Sequence, residues 1–416
     1  MTVSLNGSSQ SLVSSKDAVV KGVYYADINN DGAINLEISV SNGDYVVSYI
    51  LVYEVNKITY NLNVGDAVEP VYFELGSSVI LKDDLNRELY QFDGWYTEKE
   101  NGTQIAKDTS LSTSQTLYAH WTYIEKAVKT MSVSLNGKIV VNLGVTLASN
   151  PNSDAYLSVT VGTNEGQQLK FSDIEKDANG KYYFEVDVAA AQMTEEIKVK
   201  AVYNDLTTKE QTFTVQKYAK YLLSLESSTD ELKTLLKSML DYGAYAQTYF
   251  NVNTDSLANA GIWGEESSPV KNTTVPTTNI TTTGTATDLT IDSIDMFLQS
   301  DCTLRLYFKV NDISKYSAVL TYNDGVDHKF NLAMSTDETA GYYVDIPHIP
   351  APYLSKDYTI TFTNTDDNTT CSVVVSAYAY ISKVLSSENT TDAQKNVAKA
   401  LYLYGESAKA YNGYSN

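Results

Sequence analysis

Only two arginines, Arg87 and Arg305, occur in 416 residues, together with two cysteines, three histidines and three tryptophans. Each scarcity excludes something. Thirty basic residues against 51 acidic ones leave a net charge of −21, so the chain repels nucleic-acid backbones and anionic lipid, and neither is expected as a partner. Two cysteines cannot staple a disulfide-dense scaffold. Cys302 in "CTLRLYFKV" and Cys371 in "CSVVVSAY" each share a strand face with apolar neighbours and should point inward. They form either a bridge between two strands of one sandwich or two buried free thiols. His120, His328 and His348 are isolated, and no spacing suggests a zinc site or a nucleophile–base pair. No phosphate-cradling loop, GxGxxG or GxSxG stretch occurs. The chain is therefore expected to be non-catalytic and to carry no organic cofactor.

Long hydrophobic runs are missing as well. The longest, "YVVSYILVYEV" at 45–55, is too short to span a bilayer, so no membrane insertion is expected. The chain opens on "MTVSLNG", a strand pattern without signal-peptide character, and a targeting segment is expected to have been removed.

What is abundant is tyrosine, with 33 against 10 phenylalanines. Tyrosine suits half-exposed strand positions, where the ring packs and the hydroxyl stays wet. Strand signals dominate residues 1–56, where "NNDG" reads as a hairpin turn between two alternating runs. Within "ADINNDGAIN", Asp27, Asn29, Asp31 and Gly32 match the first half of a calcium loop. Ile38 stands where the last acidic ligand belongs, and strand patterns flank the loop where helices should. A plain turn is the expectation and bound calcium the alternative.

Residues 57–124 contain "FDGWYT", then "GT", then "TLYAHW". Phe92, Gly94, Trp95, Tyr96, Thr97, Gly102, Thr103, Leu117, Tyr118, Ala119 and Trp121 resemble the internalin B-type, or Listeria–Bacteroides, repeat. The resemblance implies a small, ubiquitin-like β-grasp module of extracellular bacterial proteins. Trp95 and Trp121 sit on strands, where large rings can supply most of a small core.

From residue 130 a longer pattern begins and then repeats. Five strand-like runs lead into two helical runs, and the same order returns after a linker. A shift of 162 residues brings Ser228-Thr229-Asp230 onto Thr390-Thr391-Asp392, Tyr242-Gly243 onto Tyr404-Gly405, and Ala246 onto Ala408. This is an internal duplication. The units run over 130–262 and 288–416. The linker, 263–287, has nine threonines among residues 271–287, reads as extended, and would let the copies move. Ser228 with Glu231, and Thr391 with Gln394, read as capping boxes opening the second helix of each copy. Gly243 and Gly405 fall on the apolar stripes of those helices, which marks them as packing positions. The Tyr-Gly helix is similar to segments of secreted and surface proteins of gut Clostridia.

The fold class is thus expected to be mainly β, with tandem small β-domains, one repeat module, and two sandwich-like units each closed by a helical hairpin. Among aromatics that could hold a ligand, Trp263 stands alone outside the repeat, and Tyr182 and Tyr342 belong to Tyr-Tyr pairs in which one ring faces outward. The reading is a secreted or cell-surface binding protein, adhesin-like, of a Gram-positive bacterium. Its expected partner is a host protein such as mucin or immunoglobulin; the alternatives are a polysaccharide such as starch, or a purely structural stalk.

Overall fold

A computed structural model describes five short strands within residues 2–39 and, from residue 56 on, all residues except 66, 74–77, 112, 136–137, 265–266, 287, 299–301, 338, 340 and 414–416. The protein is mainly β, with 40% strand and 23% helix. It divides into two compact units, Met1–Asp83 with Gly94–His120, and Asp84–Asp93 with Trp121–Asn416.

In the first unit, Thr2–Leu5 lies antiparallel between Ser8–Gln10 and Leu36–Ser39. Tyr24–Tyr25 pairs with Val13–Ser14. Among the described residues, Tyr24–Tyr25 and Leu36–Ser39, on either side of "NNDG", pair with Val13–Ser14 and Thr2–Leu5. Asp27, Asn29 and Asp31 lie outside the described residues.

The repeat segment forms a mixed sheet in the order Gln104–Ile105, Tyr90–Tyr96, Gln115–Tyr123, Asn56–Asn61, Ala67–Phe73. Its Gln115–Tyr118 portion runs parallel to Ile58–Asn61. Trp95 is 2% exposed. Its ring lies 4.5 Å from that of Tyr60, and its indole N–H donates to the Lys82 carbonyl at 2.6 Å. This satisfied, interior Trp anchors the core formed with Ile58, Leu117 and Ala119. Trp121 behaves differently. It continues the parity of Leu117 and Ala119 but stays half-buried, 5.2 Å from Phe92 and 5.9 Å from the Arg87 guanidinium. Only one of the two repeat tryptophans is a core residue.

The second unit holds both copies of the duplication. In the first copy, Val128–Ser134, Ile139–Val145 and Tyr182–Val188 form one antiparallel sheet. Gln167–Lys170, Tyr156–Val161, Ile197–Tyr203 and two short strands form another. Alternation is strict in Tyr182–Val188, whose odd positions face water and even positions the core. The second copy repeats the plan. One sheet runs Thr290–Leu298, Cys302–Lys309, Gly341–Ile346, Ser335–Asp337. The other runs Thr281–Gly284, Thr370–Val375, Tyr358–Asn364, Tyr316–Asn323, Asp327–Leu332. Cys302 pairs with Leu298 in the first of these sheets and Cys371 with Phe362 in the second, and the two are not joined by a disulfide.

Each copy ends in two helices: α1 (Val215–Ser224) and α2 (Asp230–Phe250), then α3 (Ala377–Ser386) and α4 (Asp392–Tyr411). Thr391 and Gln394 form the expected capping box of α4. The α2 cap is Thr229, which accepts from the Leu232 N–H; it is not Ser228. The Ser228 hydroxyl is already committed, donating to the Leu222 carbonyl at 2.7 Å and closing the end of α1. Thr390 does the same to the Val384 carbonyl at 2.7 Å, closing α3.

The two copies do not hang on a free linker. Buried side chains of both belong to one continuous core. Helices α2 and α4 pack together, and Thr281–Gly284 from the Thr-rich segment becomes an edge strand beside Thr370–Val375. The Thr278 N–H donates to Ser382, and Lys399 to the Lys271 carbonyl. Threonine is a good strand former, so a segment that composition marks as loose finds a sheet edge to pair with. Among the described residues, no helix is long and apolar enough to cross a membrane.

Candidate ligand-binding site

Trp263 packs back on α2. Its indole N–H donates to Asp241 at 3.0 Å, and the Lys237 ammonium sits 4.8 Å from the ring centroid. Asp241, 1% exposed, also accepts from Asn259 and Ser268 at 2.8 Å each. One turn and a half later, fully buried Gln247 accepts the Ala258 N–H at 2.7 Å and donates to the Asn253 and Ser256 carbonyls. These two side chains clasp the segment after α2. Leu403 and Lys409 stand at the duplicated positions, so the clasp belongs to the first copy alone. The stretch from Asp241 to Trp263 is a folding device, and Trp263 is its half-buried plug.

Tyr182 is also interior. It is 9% exposed and meets Phe171 edge-on at 5.0 Å, while its neighbour Tyr183 is 49% exposed. Tyr342 packs partly buried, 5.9 Å from Phe308. The inward position of each Tyr-Tyr pair is thus the first tyrosine, which takes Tyr182 out of reach of a ligand. Among the described residues, no group of three or more acidic, His or Cys side chains is arranged to hold a metal.

The structure instead opens a cleft where the copies meet. Tyr249 and Phe250 end α2 on one side. Met296, Phe297 and Leu298 of a second-copy strand, Tyr380 and Val384 of α3, and Gln394, Val397 and Ala398 of α4 complete a cavity of about 190 Å³. Tyr249 is 37% and Phe297 42% exposed. The Gln394 amide lies 3.5 Å from the Tyr249 hydroxyl. Desolvation, aided by the charges of Asp295 and Tyr249, pushes the Tyr380 hydroxyl up to about 12, so it stays a neutral donor at physiological pH.

Beyond Phe297 the outward face of its sheet carries Arg305, Tyr307 and Tyr343. The Arg305 guanidinium lies 3.6 Å from the Tyr343 centroid and 4.6 Å from that of Phe297. The other arginine, Arg87, lies 3.5 Å from the Tyr90 centroid. Both arginines of this chain therefore sit over aromatic rings.

The cleft lining consists of rings, aliphatic side chains and one amide. Flat apolar faces with a few oriented hydrogen-bonding groups are binding chemistry. Such faces accept the C–H face of a sugar ring, while hydroxyl and amide groups take its oxygens.

Residues 57–120 match the Listeria-Bacteroides repeat domain. The matched span holds "FDGWYT" with Trp95 and ends at His120, one residue before Trp121. That repeat is typical of surface and extracellular bacterial proteins. No curated protein matches the chain.

Tyr249, Phe297 and Tyr380 were not singled out by sequence, and Gln394 was read only as the capping partner of Thr391. A signal existed for Phe297, an apolar residue at the outward position between Met296 and Leu298. Its partners lie 48 residues upstream and 83 to 97 downstream, and no periodicity links them.

Proposed function

We propose that this is a non-catalytic binding protein of a bacterial surface or its surroundings, from a Gram-positive organism, that takes a glycan in the inter-copy cleft. One observation carries the ligand class. Residues of both copies, Tyr249 of the first and Phe297, Tyr380 and Gln394 of the second, line one cavity, and Tyr249 and Phe297 are partly exposed. The repeat module supports the extracellular placement, and the Clostridia-like Tyr-Gly helix supports the Gram-positive source. A glycoprotein such as mucin fits the same cleft through its sugars. Nothing in the cleft favours immunoglobulin, and calcium has no part in this reading.

Native affinity electrophoresis through gels holding amylopectin, xyloglucan, galactomannan, mixed-linkage β-glucan or gastric mucin tests it. At least one polymer should retard the folded protein, and Tyr249→Ala with Phe297→Ala should remove most of that retardation. A wild-type protein that none of them slows would end the glycan reading.

A further inference from the structure

Phe297 is an unusual side chain to leave in water. It is 42% exposed on an outward strand position, and an exposed phenyl ring rotates freely unless something holds it. Its diagonal cross-strand neighbour is Arg305, since Phe297 pairs with Thr303 and Asp295 with Arg305. The guanidinium is fixed by a fork. Arg305 Nε and Nη2 donate to the two carboxylate oxygens of Asp345 at 2.7 and 2.8 Å, and Asp345 is its direct partner on the next strand. The Tyr343 ring, 3.6 Å from Cζ, fixes the guanidinium further, and the Phe297 ring lies 4.6 Å away. Only 18% of the arginine side chain is exposed.

We propose that Arg305 is the positioning residue of the cleft: anchored by Asp345 and Tyr343, its guanidinium holds the Phe297 ring in place at the cleft wall for the ligand to stack on. The inference rests on the glycan reading of that cleft. A ring ordered beforehand loses less freedom on binding, which is how preorganisation raises affinity. The role needs arginine. A guanidinium is planar, meets a carboxylate bidentately and stacks on rings, whereas a lysine ammonium is a mobile point charge. That the chain uses arginine only twice, both times over aromatic rings, fits this division of labour.

The test uses the full chain and the five polymers named above. Arg305→Lys keeps the charge and should bind at least about fivefold more weakly, the range a partly buried cation–ring contact supports. Asp345→Asn should weaken binding in the same direction, with melting temperatures of both variants checked for loss of fold. Labelling with 4-fluorophenylalanine gives a second readout that needs no ligand. The Phe297 fluorine line, assigned by its loss in Phe297→Leu, should move toward the free amino-acid position in Arg305→Lys while the other lines hold. If Arg305→Lys leaves both the retardation and that line at wild-type values, the positioning role is wrong even where Phe297→Ala abolishes binding. If Phe297→Ala binds like wild type, or no polymer retards the protein, the cleft reading fails and the inference falls with it.

Discussion

Tyr242 stacks on Tyr404, with ring centroids 5.7 Å apart and planes 12° from parallel. The two residues are 162 positions apart and occupy the same place in the two copies. A residue that packs on its own duplicate lies on a two-fold axis, the mark of an isologous interface. Helices α2 and α4 thus meet as two subunits of a symmetric dimer would, within one chain. The neighbouring glycines serve a different contact. A Cβ on Gly243 would meet Met193 Sδ at 2.7 Å, Ala258 Cβ at 3.1 Å and the Ala190 carbonyl at 3.2 Å. A Cβ on Gly405 would meet Leu354 Cδ1 at 2.9 Å and the Tyr378 hydroxyl at 3.2 Å. In each Tyr-Gly pair the tyrosine faces the other copy and the glycine its own.

Gly243→Ala should lower the melting temperature, although alanine gains about 1 kcal/mol of helix propensity over glycine. The backbone carbonyl of Ala190 and the fully buried Ala258 cannot yield as a surface side chain would. Gly243→Leu should cost about 3 kcal/mol or more by overpacking. Chemical denaturation measures both, and an alanine variant as stable as wild type would contradict the close packing.

Asp241→Ala should destabilise the protein by about 3 kcal/mol, because Trp263, Asn259 and Ser268 all lose their shared acceptor. Red-shifted tryptophan emission before global unfolding would report release of Trp263. An unchanged spectrum would place the clasp elsewhere.

Alkaline pH should unfold the protein steeply. Burial raises the hydroxyls of Tyr242, Tyr404, Tyr358 and Tyr378 above the ordinary value, and raises Tyr380 to about 12. These groups stay protonated in the folded state when an unfolded chain has already released its protons, near pH 10. The stability they confer is complete below about pH 10 and falls as pH rises from there through about 12. Absorbance at the tyrosinate band should show a fraction of the tyrosines ionising only with unfolding; a single reversible titration of all of them near their ordinary value would refute this.

The repeat tryptophans should separate cleanly. Trp95→Ala removes a fully packed ring and should cost about 3–5 kcal/mol. Trp121→Ala, at a half-buried position, should cost about 1 kcal/mol. Scanning calorimetry that shows equal losses would mean that Trp121 belongs to the core after all.

Much of the fold was legible because local signals agreed. Period-two runs gave strands, the Thr391–Gln394 box opened α4, and the duplication showed as a constant offset. The misreadings have a common cause. Ser228 looked like a cap because sequence cannot show that its hydroxyl is spent on Leu222. The Thr-rich segment looked loose because composition does not reveal an available sheet edge. Tyr182 and Tyr183 were a pair without a direction until the core side was known.

The sequence by itself determined the elements, the repeat module, the doubling and the absence of any legible catalytic motif, since all of these are written in spacing and composition. Only the tertiary structure decided that the copies close on each other through Tyr242 and Tyr404, and that Tyr249 and Phe297 share a cleft. Periodicity tells which face of an element is apolar. It does not tell which distant element covers that face, and a binding cleft is made where the covering is incomplete.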